Sequence, residues 1–269
     1  MKQSIFTILS NTPLTDCVYK MVLSGDTSAI TAPGQFVNIQ ITGKFLRRPI
    51  SVCDYDGSTL TIVYKVVGKG TEILSRMVPG EKLDILTGLG NGYNLAPAGD
   101  SPVLLGGGVG VPPLYHLAKR LLAMGKQVTV ILGFNTQSEV FYEAEFRALG
   151  CRVIVATADG SYGVKGFATT PLNDLNYSYF YTCGPEPMLK AVYKATRTSG
   201  QMSFEERMGC GFGACMGCSC KTLTGYKRTA RTAPSCGRRK FYGKPEREPL
   251  RHRAGQPGHP RLRHLWLRL

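Results

Sequence analysis

The sequence predicts an antiparallel β-barrel, then a doubly wound parallel α/β sheet, then a small cysteine-rich module. Three observations predict it. Residues 1–98 are a succession of short β-branched runs separated by turn dipeptides. From Ser101 the pattern changes to apolar strands that alternate with helix-period segments. After Ser203 a glycine-rich loop carries three cysteines in the spacing C-x4-C-x2-C. The expected division is therefore 1–98, 99–202, 203–228 and a basic tail, 229–269.

In the first region, Gln35–Ile41 and Leu60–Val67 are rich in Val, Ile, Phe and Tyr. Pro33-Gly34, Asp56-Gly57, Pro79-Gly80 and Asn91-Gly92 are turn signals around such runs. Evenly spaced short strands suggest a barrel. Arg47-Arg48-Pro49-Ile50-Ser51 lies inside this region. Paired arginines between apolar residues read either as a solvated basic edge or as a phosphate site, because a guanidinium binds phosphate through a planar fork. Tyr64-Lys65-Val66-Val67-Gly68-Lys69-Gly70-Thr71 reads as a strand followed by a glycine-rich turn whose Thr could hold a second phosphate.

In the second region, Val103-Leu104-Leu105 is a short apolar strand that runs into Gly106–Gly110. Pro113–Met124 follows with a helical period and Leu114, Leu117, Leu121 and Leu122 on one face. Next come a strand (Val128–Leu132), a helix (Glu139–Leu149), strands at Arg152–Ala156 and Tyr179–Thr182, and a helix (Pro187–Ser199). Alternation at this spacing predicts a parallel sheet wound on both faces. The Gly106–Gly110 loop is either a tight turn or a phosphate cradle at a helix N-terminus. Thr182-Cys183-Gly184-Pro185 ends another strand at the carboxyl edge, where ligands bind. Cys183 is then either a core residue or a contact for a nicotinamide.

Cys210, Cys215 and Cys218 match the first three ligands of a plant-type [2Fe–2S] site. The glycines between them suit a loop that wraps a small cluster and turns its amides toward sulfur. A disulfide-bonded or buried cysteine cluster is the alternative. Cys17, Cys53 and Cys151 are isolated and read as ordinary small residues.

Composition limits the function classes. The 269 residues are 43% hydrophobic, with nine cysteines. No apolar run is long enough to span a bilayer, and Met1-Lys2-Gln3 does not open a secretory signal. Clustered cysteines without an export signal suggest a reducing cytoplasm. The net charge of +15 is concentrated: residues 227–269 hold 13 of the 33 Lys and Arg and 2 of the 18 acids, a net of +11. The body is nearly balanced, so nucleic-acid binding is expected only if the tail itself is a basic arm.

The order of Arg-Pro-Ile-Ser, Gly-x-Gly-Thr, Gly-Gly-Gly-Val-Gly-Val-Pro-Pro-Leu, Cys-Gly-Pro and C-x4-C-x2-C resembles one family over about residues 3–228. It is similar to the electron-transfer subunit of NAD-dependent bacterial dihydroorotate dehydrogenase, within the ferredoxin-reductase superfamily. The resemblance implies an FAD-binding barrel, an NAD-binding α/β domain and an iron–sulfur module. It assigns Arg48, Pro49, Ile50 and Ser51 to FAD, with Arg48 on the pyrophosphate and Ser51 near the isoalloxazine. Tyr64, Lys65, Val66, Gly70 and Thr71 complete that site. It assigns Gly107, Gly108 and Gly110 to the NAD pyrophosphate, and Cys183, Gly184 and Pro185 to the nicotinamide. Cys210, Cys215 and Cys218 become cluster ligands. No general acid or base is implied. The implied partner is the dihydroorotate-oxidising catalytic subunit, in a heterotetramer. No membrane or nucleic acid is implied. Gly133-Phe134-Asn135 carries no basic group for a 2′-phosphate, which favours NAD. A stand-alone flavin or ferredoxin NAD(P)H oxidoreductase is the alternative enzyme reading, and a basic nucleic-acid-binding module the alternative from another class.

One departure stands out. The family carries a fourth cysteine about a dozen residues after Cys218, in Cys-Lys-(Asp/Glu)-Gly-Pro, and position 230 here is Ala. Cys220 is expected to point away from the cluster, which leaves Cys236 as the later cysteine. Codons for Thr229–Gly243, read in a shifted frame, permit C-K-D-G-P-V-L-R-E-E-V-L-W. Those for Gln256–Leu269 permit a string like the start of the catalytic subunit. A one-base frameshift near codon 229 is the expectation this raises for the tail.

Overall fold

The computed structural model describes residues 1–222 and 225–232, and the side chains of these except 220–227 and 232. The first layer is a closed antiparallel barrel in the order β1-β2-β5-β4-β3-β6. Its strands are β1 (Lys2–Pro13), β2 (Val18–Ser24), β3 (Phe36–Ile39), β4 (Arg48–Tyr55), β5 (Thr59–Lys65) and, after helix α1 (Lys69–Arg76), β6 (Lys82–Leu89). Along β6 buried and partly exposed residues alternate, because successive side chains point to opposite faces. Phe6, Met21, Leu23, Ile39, Leu60, Ile62 and Ile85 fill the interior at 0% exposure. Each contributes about 1.5–3 kcal/mol of burial. All four residues of β3 are buried. Val37 and Ile39 fill the barrel, while Phe36 faces outward into a second cluster with Leu89, Cys218 and Ala230.

The second layer is a parallel sheet in the order β10-β9-β8-β7-β11-β12. Its elements are β7 (Val103–Gly107), α2 (Pro113–Ala123), β8 (Thr129–Phe134), α3 (Glu143–Ala148), β9 (Arg152–Thr157), β10 (Val164–Lys165), β11 (Phe180–Cys183), α4 (Glu186–Ala195) and β12 (Gly200–Ser203). Every residue of β7 is buried, as expected for a strand covered on both faces. The order reverses between β7 and β11, which makes their carboxyl ends the switch point of the sheet. An antiparallel hairpin, β13 (Ser219–Thr222) with β14 (Gly225–Arg228), and a single turn α5 (Thr229–Thr232) complete the described chain.

The barrel and the doubly wound sheet match the fold read from the sequence, with corrections. Glu139–Leu149 is not one helix: Tyr142 adopts φ 68°, so α3 begins only at Glu143. The helix expected over Pro187–Ser199 runs from Glu186 to Ala195. Gly68–Thr71 does not form only a turn but opens α1, with Thr71 capping it. Leu122 is partly buried, outside the buried face of α2. Strand β12 carries no legible sequence signal, because Gly200-Gln201-Met202-Ser203 is too short and polar to show a period. The sequence from residue 227 on shows no strand or helix period, yet β14 reaches Arg228 and Thr229–Thr232 is helical. Cys236, and the rest of the tail from 233, lie outside the described residues. No helix among the described residues is long and apolar enough to cross a membrane.

Candidate functional site

The two arginines of β4's leading edge have separate fates. Arg47 Nη1 donates to the Asp84 carboxylate at 3.0 Å, to the Asp84 carbonyl at 3.1 Å and to the Asn38 carbonyl at 3.3 Å. That bonding holds the Asp84 carboxyl below its usual value and commits Arg47 to tying β3 to β6. Arg48 instead crosses to the start of α1. A Cβ at Gly70 would lie 2.3 Å from Arg48 Nε, so only glycine admits the guanidinium there. The Thr71 hydroxyl accepts from the Val67 and Gly68 amides at 3.0 and 3.3 Å and donates to the Gly68 carbonyl at 3.0 Å. A cationic fork over a helix N-terminus is a cradle for a diphosphate.

The other residues assigned to the flavin divide by face. Ser51 and Ile50 lie half-buried on β4, opposite Phe36 and Val37 of β3, and Pro49 lies opposite Asn38. Lys65 is exposed and Val66 half-buried. Tyr64 is turned into the barrel at 2% exposure, and its hydroxyl donates to Asn11 Oδ1 at 3.0 Å. Burial pushes its phenol up to about 12. A ligand outside the barrel therefore meets the backbone of Tyr64 and not its ring.

At the switch point the two glycine-rich ends lock together. Cys183 is the register partner of Gly106. A Cβ on Gly110 would stand 2.3 Å from the Cys183 carbonyl oxygen, and one on Gly107 2.4 Å from Met188 Sδ. Gly184, at φ +158°, would meet the same sulfur at 2.8 Å. Gly108, at φ +52°, has open space around it. The loop thus presents bare backbone at a helix entrance, which suits a pyrophosphate. Cys183 is 3% exposed within the main core of the sheet. Burial pushes its thiol up to about 12, so it is a neutral group beside that loop. Pro185 precedes α4, whose first turn carries Glu186.

The cysteine loop packs on the outer face of the barrel. Its floor is Phe36 and Leu89, themselves register partners on β3 and β6. The Cys215 amide donates to Cys210 Sγ at 3.4 Å. Burial opposes ionisation of Cys210, but the Cys215 amide, joined by those of Phe212 and Ala214, outweighs it and brings the thiol down to about 6. Gly211 and Gly213 hold φ +76° and +83°. The β13–β14 hairpin then folds the chain back on Cys218: the Thr229 amide donates to the Cys218 carbonyl at 3.0 Å, and the Ala230 amide to Cys218 Sγ at 3.5 Å. Ala230 is 3% exposed.

These residues fit an iron–sulfur cluster at three corners and not at the fourth. Cys210, Cys215 and Cys218 would supply thiolates, and the loop supplies an amide to sulfur. At the position that returns to Cys218, the chain offers the methyl group of Ala230. The side chain of Cys220 lies outside the described residues. Among the described residues no group of three or more His, Cys, Asp or Glu side chains is already gathered as for a metal.

The sequence reading missed Asn38 and Asp54. Asn38 carried a signal, as the single polar residue in the apolar run Phe36-Val37-Asn38-Ile39. Asp54 carried none, because its partners lie more than 60 residues away.

Known proteins resemble most of the chain. Residues 205–236 match the iron–sulfur cluster binding domain of dihydroorotate dehydrogenase B. Residues 104–194 match an oxidoreductase NAD-binding domain. The chain is 43% identical over 248 residues to the dihydroorotate dehydrogenase B (NAD(+)) electron transfer subunit of Geobacillus sp. (strain WCH70), covering 87% of this chain and 96% of that one. The corresponding subunit of Bacillus pumilus (strain SAFR-032) is also 43% identical, over 82% and 90% of the two chains. Among solved structures, an NADH-dependent reduced ferredoxin–NADP oxidoreductase studied for flavin-based electron bifurcation superposes with a TM-score of 0.80 at 27% identity, covering 88% and 89%. A ferredoxin NADP+ reductase from Neisseria gonorrhoeae with bound FAD and NADP shares the fold, with a TM-score of 0.62 at 19% identity, over 72% and 90%.

Proposed function

The chain belongs to the family of dihydroorotate dehydrogenase B electron-transfer subunits, and from that membership we propose how its residues carry out that role. It passes electrons from dihydroorotate oxidation, performed by a catalytic partner subunit, to NAD+. Arg48, with Gly70 and Thr71 at the start of α1, holds the FAD diphosphate, and Pro49–Ser51 with the backbone of Tyr64–Val66 lines the ring. Gly107, Gly108 and Gly110 hold the NAD diphosphate, and Cys183-Gly184-Pro185 borders the nicotinamide. Bound FAD supplies a centre that handles both single electrons and hydride. The protein's part is to orient, to exclude water and to hold charge. Cys183, kept neutral by burial, adds no anion beside the nicotinamide.

NAD rather than NADP is favoured at the end of β8. There the Asn135 amide and side chain hold the Glu139 carboxylate at 3.0 and 2.9 Å. An anion at that tip repels a 2′-phosphate. Residues 1–98, 99–202 and 203–228 act as flavin, NAD and cluster units. The assembly is a heterotetramer with the catalytic subunit in the cytoplasm.

The observation that carries the reading is the seating of the Cys210–Cys218 loop on β3, the strand beside the flavin motif. Co-expression with a dihydroorotate-oxidising flavoprotein subunit tests it. A co-purifying complex with one FAD per chain of this protein and dihydroorotate-dependent NADH formation is expected. In Arg48→Ala, FAD affinity is expected to drop about 10–100-fold, the worth of a charge-assisted contact. A chain that binds no FAD and captures no such partner overturns the proposal. Ala230 at the fourth corner favours a second reading, an NADH–flavin reductase without a complete cluster. In that case NADH reduces an artificial acceptor, but the complex forms no NADH from dihydroorotate.

A further inference from the structure

We propose that Asn38 is the positioning residue that seats the cysteine loop against the flavin side of the barrel. This inference rests on the reading that Arg48–Ser51 borders a flavin and that the loop from Cys210 holds a cluster.

Asn38 is 1% exposed on a strand whose other residues are apolar. A buried amide there is costly unless it is bonded. Alternation along β3 sends Val37 and Ile39 into the barrel and turns Phe36 and Asn38 outward, toward the cysteine loop. Asn38 Nδ2 donates to the carbonyl oxygen of Cys210 at 3.3 Å. The next residue admits nothing larger than glycine: a Cβ on Gly211 would lie 2.2 Å from Asn38 Nδ2, and its φ is +76°. Beside the apolar floor at Phe36, the loop therefore meets β3 where an amide on the strand fits a bare backbone on the loop.

The strand side of this contact is equally fixed. Asn38 is the register partner of Pro49 on β4 and of Leu86 on β6. Its carbonyl accepts from Arg47 Nη1, and the same guanidinium grips Asp84. One residue thus joins the strand next to the flavin motif with the first cysteine of the loop. Adjacent strands lie about 4.8 Å apart, so the seat fixes how far Cys210 stands from Arg48–Ser51.

The chemistry selects asparagine. Leucine fills the space but gives the Cys210 carbonyl no donor. Aspartate keeps the shape, but it turns an acceptor on that carbonyl, so the contact becomes repulsive. Asn38 Oδ1 is buried without a protein partner among the described residues. The contact therefore runs through the donor half of the amide.

Hydrogen exchange on the full-length chain, after bound iron is removed with a chelator, tests this without relying on cofactor function. In Asn38→Leu and Asn38→Asp, amides 209–214 are expected to exchange about tenfold faster than in the parent, the worth of one hydrogen bond. Amides of β7 and β8 should be unchanged, and NADH-to-ferricyanide turnover on the flavin should stay within twofold. Labelling of Cys210 and Cys215 by a neutral disulfide reagent should quicken in step with the exchange. Unchanged exchange at 209–214 in both variants overturns the proposal. So does equal acceleration in β3 and the loop, since Asn38 would then only hold its own strand. Failure of the parent chain to bind FAD would sink the functional reading instead, and the exchange result would still stand.

Discussion

Asp54 Oδ1 on β4 lies 2.7 Å from His116 Nδ1 on α2, a side-chain contact that joins the barrel to the parallel-sheet layer. The same carboxylate accepts from Lys119 Nζ at 2.7 Å through its other oxygen. Tyr55 stacks on the His116 ring at 4.3 Å. One residue before Asp54, the Cys53 thiol donates to the Tyr142 hydroxyl at 3.2 Å, in a second link between the same two layers. The proposed flavin and NAD sites belong to different layers, so this clasp would help to set their relative position.

The clasp predicts a pH dependence. Burial alone would raise the Asp54 carboxyl, but hydrogen bonds from His116 and Lys119 outweigh it and its pKa lies below the ordinary 3.8. A depressed folded-state pKa adds stability that is present above the unfolded value and is lost as pH falls through the folded one. Asp54→Asn is expected to unfold about 1–2 kcal/mol more easily near neutral pH, a value discounted for the partly exposed Lys119. The gap should close as pH drops below 3.8. Urea unfolding of both chains across the acid range measures this. A gap that stays constant with pH would show that the carboxylate charge is not what matters.

Gly110→Ala should damage the switch point. Its Cβ would stand 2.3 Å from the Cys183 carbonyl, a backbone atom that cannot swing aside. A loss of about 1–3 kcal/mol in stability is expected, together with weaker NADH binding. Gly57→Ala, where nothing lies within 4 Å, is the control and should change stability by less than about 0.5 kcal/mol. Thermal unfolding and an NADH titration of the three chains decide it.

The fourth corner of the cysteine site predicts a gain on substitution. As it stands, the chain should hold less than its full complement of iron and acid-labile sulfide after reconstitution. Ala230→Cys places a thiol at the residue whose amide already meets Cys218 Sγ, and should raise both toward roughly two per chain. Equal iron in the two chains would mean that another residue already serves as ligand.

Thiol chemistry should distinguish the cysteines of the metal-free chain. Cys210, with its thiol down at about 6, should react with iodoacetamide at neutral pH, half-maximally near that value. Cys183 and Cys53, both pushed up to about 12 by burial, should remain unmodified in the folded protein. Peptide mapping after alkylation at several pH values reports each site.

The architecture and most residues of the candidate site were legible in the order of the amino acids alone. Alternation in the first region and β/α alternation in the second follow from how side chains project from strands and helices, so local pattern was enough. The glycines at 107, 110 and 184 and the C-x4-C-x2-C loop were legible because their spacing is itself the chemistry. Which of those residues meet was set by the folded chain. It separated Arg47, spent on Asp84, from Arg48, which runs to Gly70. It turned Tyr64 inward, exchanged an expected long helix for a left-handed Tyr142, and brought Ala230 back against Cys218. It also made Asn38 and Asp54 the joints between layers. Those outcomes depend on contacts between residues far apart in the chain, and periodicity within a short window carries no information about such pairs.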